Sequence, residues 1–387
     1  YKLRNGSELL WKMKINRLII SALLLANAAC GHRNARTVTV AESDSTHYAV
    51  RYASGFAVHC CDGYKLLEVH DPQDDRSHTA RFALIPRGTK PTIPDDYTPI
   101  EVPVRNVICM TTLQLSNFIT LDRLDAVKGV TSTRHLHNEA MRRRLGEGST
   151  QRIGIEGNFD NEVILNIAPD LILISPFKRG GYDALRDVGT PLLPHFGYKE
   201  PTPLGQAEWI RCVGLLMGDE ERADSLFNAI ETRYNALCAL TEQVERRPTV
   251  FSGELRGGNW YAVGGRSFLA QLFRDAGADY FLRDDPRSGG VTLDFEQVYT
   301  AAANADYWRI LNSFESTFTY DALRDEDERY TDFRAWKSHG VIYCNLRETP
   351  FYEATPMQPD VVLADLIKVF HPELVADHRP VYYRLLP

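Results

Sequence analysis

The spacing of apolar residues changes from helical to strand-like and back along the chain, and two of these changes have the same form. From Ile153 to Ser175 the residues after the opening isoleucine read GIEGNFDNEVILNIAPDLILIS. Asn158 or Asp160 can cap a short helix, Val163, Ile164 and Ile167 fall on one face at helical spacing, and Pro169 ends it. Leu171 to Ile174 then reads as a buried strand. At about 100° per residue, Glu162 falls opposite the apolar face and points into water. A comparable unit runs from Leu293 to Ile310. There Glu296 opens the helix, Val298, Ala301 and Ala305 supply the buried stripe, and Asp306 precedes the strand as Asp170 does in the first unit.

Around these units the pattern divides the chain. From Thr37 to Val104 alternating and β-branched residues are broken by turn signals at Asp62-Gly63, Asp71-Pro72, Arg87-Gly88 and Ile93-Pro94, which predicts a small β-rich extension. A hairpin over Tyr48 to Val69 and a strand over Thr79 to Ile85 are expected in it. Strands at Arg105–Cys109, Val127–Val130, Leu171–Ile174 and Leu192–His195 alternate with helices at Leu115–Leu124 and Asp183–Val188, the signature of parallel βαβ units. Ligands of such sheets sit beyond the carboxyl ends of the strands. That places candidate contacts on the loops Thr111–Gln114, Pro176–Arg179 and Phe196–Lys199, with Gln114, Lys178 and Tyr198 as the side chains. Asp219 to Arg246 is expected to be one long helix of roughly 40 Å, capped by Asp219, ended by Pro248 and buried along Leu226, Ile230, Leu237 and Val244.

A second α/β region begins at Thr249. After its first strand come Glu254, Arg256, Asn259, Trp260 and Tyr261. Trp and Tyr offer stiff contact area with a polar tip, and Arg256 can fork onto a carboxylate or stack on a planar group. Trp260, Tyr261, Arg256 and Asn259 are therefore the ligand contacts expected from this lobe, and a buried cluster is the other reading of Trp260 and Tyr261. Gly264-Gly265-Arg266-Ser267 starts the next helix without the spacing of a phosphate loop. The loops Pro286–Gly290, Ser313–Phe318 and Asn345–Thr349 complete the candidates.

The segments NEVILNIAPDLILIS and FEQVYTAAANADYWRI resemble the periplasmic binding proteins of siderophore, haem and cobalamin ABC importers. The resemblance covers about Arg105 to the end. It implies an α/β fold of two Rossmann-like lobes joined by a long rigid helix, with a β-rich N-terminal extension, and a bulky metal chelate held between the lobes. Fe(III)-siderophore, haem and cobalamin all stay open as ligands. It also implies an ABC permease in the inner membrane as partner, docked through Glu162 and Glu296. Two departures stand in the second unit: Asp306 lies ten residues after Glu296 where Asp170 lies eight after Glu162, and its strand reads Tyr307-Trp308-Arg309 where a plain aliphatic run is usual. The expected organisation is 1–29 upstream extension and signal peptide, 30–104 lipid-anchor tether and β-rich extension, 105–218 first lobe, 219–247 connecting helix and 248–387 second lobe.

Composition narrows the alternatives. With 387 residues and 44% hydrophobic content the chain can bury one large or two medium cores. Its net charge of −7 is spread out, with no basic run to serve nucleic acid. Met13, Lys14 and Arg17 precede an apolar stretch from Leu18 to Ala26 and then Ala28-Ala29-Cys30. This is the pattern of a secretory signal with a lipidation cysteine, and plain signal cleavage is the alternative. Residues 1 to 12 look like an upstream extension of the reading frame. The expectation is a monomeric lipoprotein of the periplasm, held to the membrane through Cys30.

The six cysteines after Cys30 have neither a disulfide-scaffold nor a CxxC spacing. No GxSxG elbow, HExxH helix or Cys/His nucleophile pair stands out, and His135 and His137 alone are too few for a metal site. No catalytic residue, resident metal or cofactor is therefore expected. A cell-envelope enzyme or a non-transport surface binding protein on the same scaffold is the alternative function.

Overall fold

Phe56–Cys61 and Tyr64–Val69 fold back on each other about Asp62-Gly63, with Gly63 at φ 80°, a left-handed value that glycine takes without steric cost. Ala80–Pro86 pairs antiparallel with the second strand and Thr98–Val102 runs parallel beside it, so the extension is a four-stranded sheet. In the computed structural model residues 48–387 are described, apart from 75, 132, 134, 156 and 177–181, and all belong to one unit that runs from Ser45 to Pro387. The signal segment and Cys30 lie outside the described residues.

The first lobe is a parallel sheet in the order Leu192–Pro194, Leu171–Ile174, Val107–Cys109, Val127–Val130, Gln151–Arg152. Leu171–Ile174 is buried at all four residues, as a parallel strand covered by helices on both faces must be. The helix after Val107–Cys109 spans Thr112–Leu121, three residues ahead of the expected start, because Thr111 and Gln114 form a reciprocal capping box. The second lobe has Asp279–Tyr280, Thr249–Ser252, Tyr307–Asn312 and Val341–Asn345 in parallel, closed at one edge by antiparallel Arg384–Leu385. Its helix Phe295–Ala302 starts on a second capping box, Asp294 with Gln297. The buried alanine there is Ala302, and the expected Ala301 faces solvent.

Two stretches differ from the expectation. The residues read as a loop after Thr249–Ser252 form a hairpin, Glu254–Arg256 with Asn259–Val263, extended to three strands by Gly290–Leu293. Gly257 and Gly258 turn it at φ 57° and 83°. The connection between the lobes is likewise two helices in place of one. Pro203–Met217 is capped by Thr202 and has Pro at its start, then Gly218 at φ 69° turns the chain into Glu220–Thr241. A Cβ on Gly214 would stand 2.5 Å from the Ala223 Cβ, so glycine is what lets the pair touch. All of Pro203–Met217 except Gln206 is buried. This helix lies against Thr112–Leu121, the extension strand Thr98–Val102, and helices Phe268–Asp275 and Pro359–Phe370 of the second lobe.

The second helix, at roughly 33 Å, buries Ala223, Phe227, Ile230 and Tyr234, while Leu226 and Leu237 are half-buried. Asp219 makes no cap bond and instead pairs with Arg123 at 2.8 Å.

Buried carboxylates clamp both ends of the described chain. Glu208, inside Pro203–Met217, accepts the backbone N–H groups of Arg51, Tyr52 and Ala53 at 2.6–3.0 Å, and Glu200 accepts those of Ser54 and Gly55 at 2.9 Å. Asp365, in Pro359–Phe370, accepts those of Val381, Tyr382 and Tyr383 at 2.6–3.2 Å. Each acid satisfies a run of amides that has no ladder partner of its own.

Candidate functional site

The lobes meet where loops leave the carboxyl ends of their strands. The loop after Val127–Val130 reaches the chain that follows Val341–Asn345: His137 N–H donates to Glu353 Oε1 and Oε2 at 3.1 and 3.0 Å, its Nε2 lies 3.1 Å from the Leu346 carbonyl, and the His135 and Tyr352 rings are 6.0 Å apart. Burial raises the Glu353 carboxyl above its usual range, and the His137 N–H lowers it in part. Helix Thr112–Leu121 packs on Phe351–Ala354 and on Thr355–Met357. The extension also reaches this boundary. Gln73 donates to the Lys199 carbonyl at 3.0 Å, and a Cβ on Gly289 would lie 3.4 Å from its Oε1. Asp71 forms an ion pair with Lys199.

Of the expected contacts, the structure brings Gln114 and Tyr198 to the same place. Thr111, Gln114, Asn117, Ser175, His195, Tyr198 and Pro356 surround a cavity of about 10 Å³, room for about one water. Gln114 is spent on structure, which corrects the expectation. It is buried, its Oε1 accepts from the Met110 and Thr111 N–H groups at 2.7 and 3.2 Å, and its Nε2 donates to the Ile174 carbonyl at 3.2 Å. Tyr198 is half-buried beside Lys199, whose Nζ stands 6.0 Å from its ring centre. His195 is enclosed, 4.5 Å ring to ring from Trp209 and 3.3 Å from Asn117 Nδ2, and burial pushes it down to about 4, so it is neutral. Lys178 lies outside the described residues.

In the second lobe the hairpin separates the expected contacts into two faces. Neighbours on a strand point to opposite sides, and Trp260 is 0% exposed where Tyr261 is 48% exposed. The Trp260 Nε1 donates to the Ser252 carbonyl at 2.9 Å, and its ring packs among Phe251, Phe295, Trp308, Tyr330 and Phe333. It is a core residue with its polar atom satisfied, which corrects its reading as a ligand anchor. The register pairs Arg256 with Asn259 and Glu254 with Tyr261, so these four share the outer face. Arg256 there pairs with Glu254 at 2.6 Å, and Asn312 Nδ2 reaches the other Glu254 oxygen at 3.4 Å.

Glu162 and Glu296 are both exposed in the first turns of their helices. Asp160 is the cap of the first, accepting from Val163 N at 3.1 Å. Leu165, on the Glu162 face one turn on, is 60% exposed, and Ile155 just before the helix is 62% exposed. Glu296 has a different neighbour, the positive charge of Arg329, which also pairs with Asp327 at 2.7 Å.

A larger cavity lies elsewhere. About 1120 Å³ lies between the extension and the first lobe, bordered by Arg81, Phe82, Thr98, Tyr182, Arg186 and Lys199 among others. Among the described residues no group of three or more His, Cys, Asp or Glu side chains is placed to hold a metal ion.

Two parallel α/β lobes that meet at their strand-end loops, braced by a buried helix, define a two-lobed binding-protein fold. The chain belongs to the periplasmic binding protein family, whose pattern residues 107–347 match. An uncharacterized lipoprotein of Methanocaldococcus jannaschii is 26% identical over 353 residues, 87% of this chain and 86% of the relative. Among solved structures, the periplasmic haem-binding protein RhuT from a Roseiflexus species superposes with a TM-score of 0.56 at 20% identity, covering 70% of this chain and 99% of that one. The molybdate-binding protein MolA of Haemophilus influenzae gives 0.56 at 15% identity, covering 71% and 88%. The candidate loops did not include the one after Val127–Val130, and Tyr352 and Glu353 were missed. Both sit on a four-residue helix, Phe351–Ala354, too short to show a period.

Proposed function

We propose that the protein is the solute-binding component of an ABC importer. It is a periplasmic lipoprotein held to the membrane through Cys30, and it captures a bulky metal chelate between its lobes for delivery to a permease. The observation that carries this reading is the boundary itself, where strand-end loops of both lobes meet through His135, His137, Tyr352 and Glu353. The lipoprotein relative and the haem-binding neighbour support it. The ligand class is Fe(III)-siderophore, haem or cobalamin, and the protein-side contacts are Arg256, Asn259 and Tyr261 from one lobe and Tyr198 and Lys178 from the other. Glu162 and Glu296 meet the permease. Among the described residues the site offers aromatic and cationic groups, which suit the binding of a bulky ligand.

Titration of the mature protein with the three chelate classes tests the reading. One class should bind, and Arg256→Ala with Tyr261→Ala should weaken it about tenfold or more, the loss of one to two good contacts, with the fold unchanged. Full affinity in the double variant would place the ligand elsewhere. Membrane fractionation of Cys30→Ala tests the anchor, since that variant should be released into the soluble fraction.

The volume beside the extension favours a second reading, in which the ligand lodges against Phe82 and Tyr182. Thr98→Trp, which puts a bulky ring into that space, should weaken binding if this second reading holds and leave it unchanged if the interlobe one does.

A further inference from the structure

Arg309 is the residue that breaks the aliphatic pattern of the second lobe's central strand. Its neighbours Trp308 and Ile310 are fully buried on the aromatic face, so alternation turns Arg309 to the other face, with Tyr307 and Leu311. There its Nε donates to the Tyr383 hydroxyl at 2.9 Å, a second guanidinium nitrogen bonds the same oxygen, and Cζ lies 5.1 Å from the Tyr383 ring centre. Tyr383 is itself fixed. Its N–H donates to Asp365 at 3.0 Å, and its ring packs edge-on against Phe351 at 5.7 Å.

What Arg309 lacks is an acid. Among the described residues no carboxylate lies within ion-pair distance of it. Arg211, Arg87 and Arg123, by contrast, are each paired with an acid: Arg211 with Glu208 and Asp224, Arg87 with Asp170, Arg123 with Asp219. A guanidinium has five N–H donors, and one phenol oxygen leaves most of them to be met from outside the protein. Arg309 is half-buried, and a partly desolvated guanidinium is stabilised when an oxyanion completes its donors. Phe351, on which the Tyr383 ring packs, stands 5.6 Å ring to ring from Tyr352, and the Tyr352 ring in turn meets His135 of the first lobe at 6.0 Å. The incomplete guanidinium thus stands next to the boundary between the lobes.

We infer that Arg309, held by Tyr383 one ring contact away from Phe351, is the anion-recognition residue of the interlobe site, so the captured ligand presents a carboxylate or another oxyanion to it. This rests on the interlobe reading above and narrows its ligand class to anionic chelates. A planar fork over two oxygens is the geometry that arginine satisfies and lysine does not.

The test is titration of the mature protein with three probes: haemin for carboxylates on an organic chelate, molybdate for an inorganic oxyanion, and a ferric tris-hydroxamate of zero net charge. The parent should bind haemin or molybdate at least tenfold more tightly than the neutral chelate, and which of the two binds identifies the source of the oxyanion. Arg309→Gln should weaken that probe at least tenfold. Arg309→Lys, which keeps charge and length if the glutamine variant fails to fold, should still weaken it severalfold. Equal affinity of the parent for the neutral chelate, or parental affinity for the anion in folded Arg309→Lys and Arg309→Gln, would overturn the inference while leaving the interlobe site standing. Binding of none of the three would overturn the inference and leave the interlobe reading to be decided with cobalamin.

Discussion

The two helix–strand units meet the same demand at their junctions and answer different ones in their strands. Asp170 accepts the N–H groups of Arg105 and Asn106 at 2.7 and 3.1 Å, at the entrance to Val107–Cys109. Asp306 accepts that of Thr249 at 2.9 Å, at the entrance to Thr249–Ser252. In both lobes an aspartate before one strand satisfies the amide that opens its neighbour, so the junction is set by a backbone requirement any such sheet has. The strands that follow diverge. Leu171–Ile174 is aliphatic and buried throughout, while Tyr307–Asn312 gives Trp308 and Ile310 to an aromatic core and Arg309 to the opposite face. A shared scaffold fixes the ends of its strands and leaves their faces to be specialised.

The contrast is open to measurement, most strongly in the cores. Trp308→Ala should cost about 3–5 kcal/mol and Leu173→Ala about 2–4 kcal/mol, because Trp308 also donates Nε1 to the Gly253 carbonyl at 2.8 Å. Urea denaturation of both variants decides it, and a smaller loss for Trp308→Ala would mean that the aromatic face is the weaker of the two.

The next effect is in pH. The first lobe ends its strand Leu192–Pro194 on a buried neutral histidine, where the second carries a charged guanidinium. His195 is pushed down from 6.5 to about 4 by burial, so the unfolded chain takes up a proton in that range before the folded one does. Its contribution is complete above pH 6.5 and is lost as pH falls toward 4, by at most about 1.4 kcal/mol per pH unit. His195→Gln should flatten that part of the stability profile. An identical slope in parent and variant would show that His195 does not carry it.

The smallest effects on stability belong to the exposed acids. Glu162→Lys and Glu296→Lys should each shift stability by no more than about 0.5 kcal/mol and leave ligand affinity alone, while the double variant loses permease-stimulated ATP hydrolysis. Glu162→Lys should do more harm than Glu296→Lys, since Glu162 is flanked by exposed Leu165 and Ile155 and Glu296 already shares the field of Arg329. Normal stimulation by the double variant would end the docking role.

Period and punctuation made much of the fold legible. Val127–Val130, Leu171–Ile174 and Thr249–Ser252 have the predicted ends, because aliphatic runs bounded by turn residues leave little choice. The hairpin at Asp62-Gly63 follows from its glycine. The hairpin of Glu254–Arg256 with Asn259–Val263 was harder: Gly257-Gly258 was there to be read as a turn, and alternation through Asn259-Trp260-Tyr261 would then have separated Trp260 from Tyr261. The connecting pair was hidden because Pro203–Met217 is apolar nearly all round and shows no stripe. Arg309 was visible as an anomaly, but its meaning depends on which acids fail to reach it. That is a fact of tertiary structure.

The clamp on Arg51–Ala53 has a mechanical consequence. A tension applied to the chain ahead of Arg51 enters the molecule in part through hydrogen bonds to Glu208 and so through Pro203–Met217, a helix that touches both lobes and the extension. The load is borne by the spine in common, and neither lobe is levered against the other. A protein tugged by its leash in this way can swing as a whole while the gap between its lobes keeps its width.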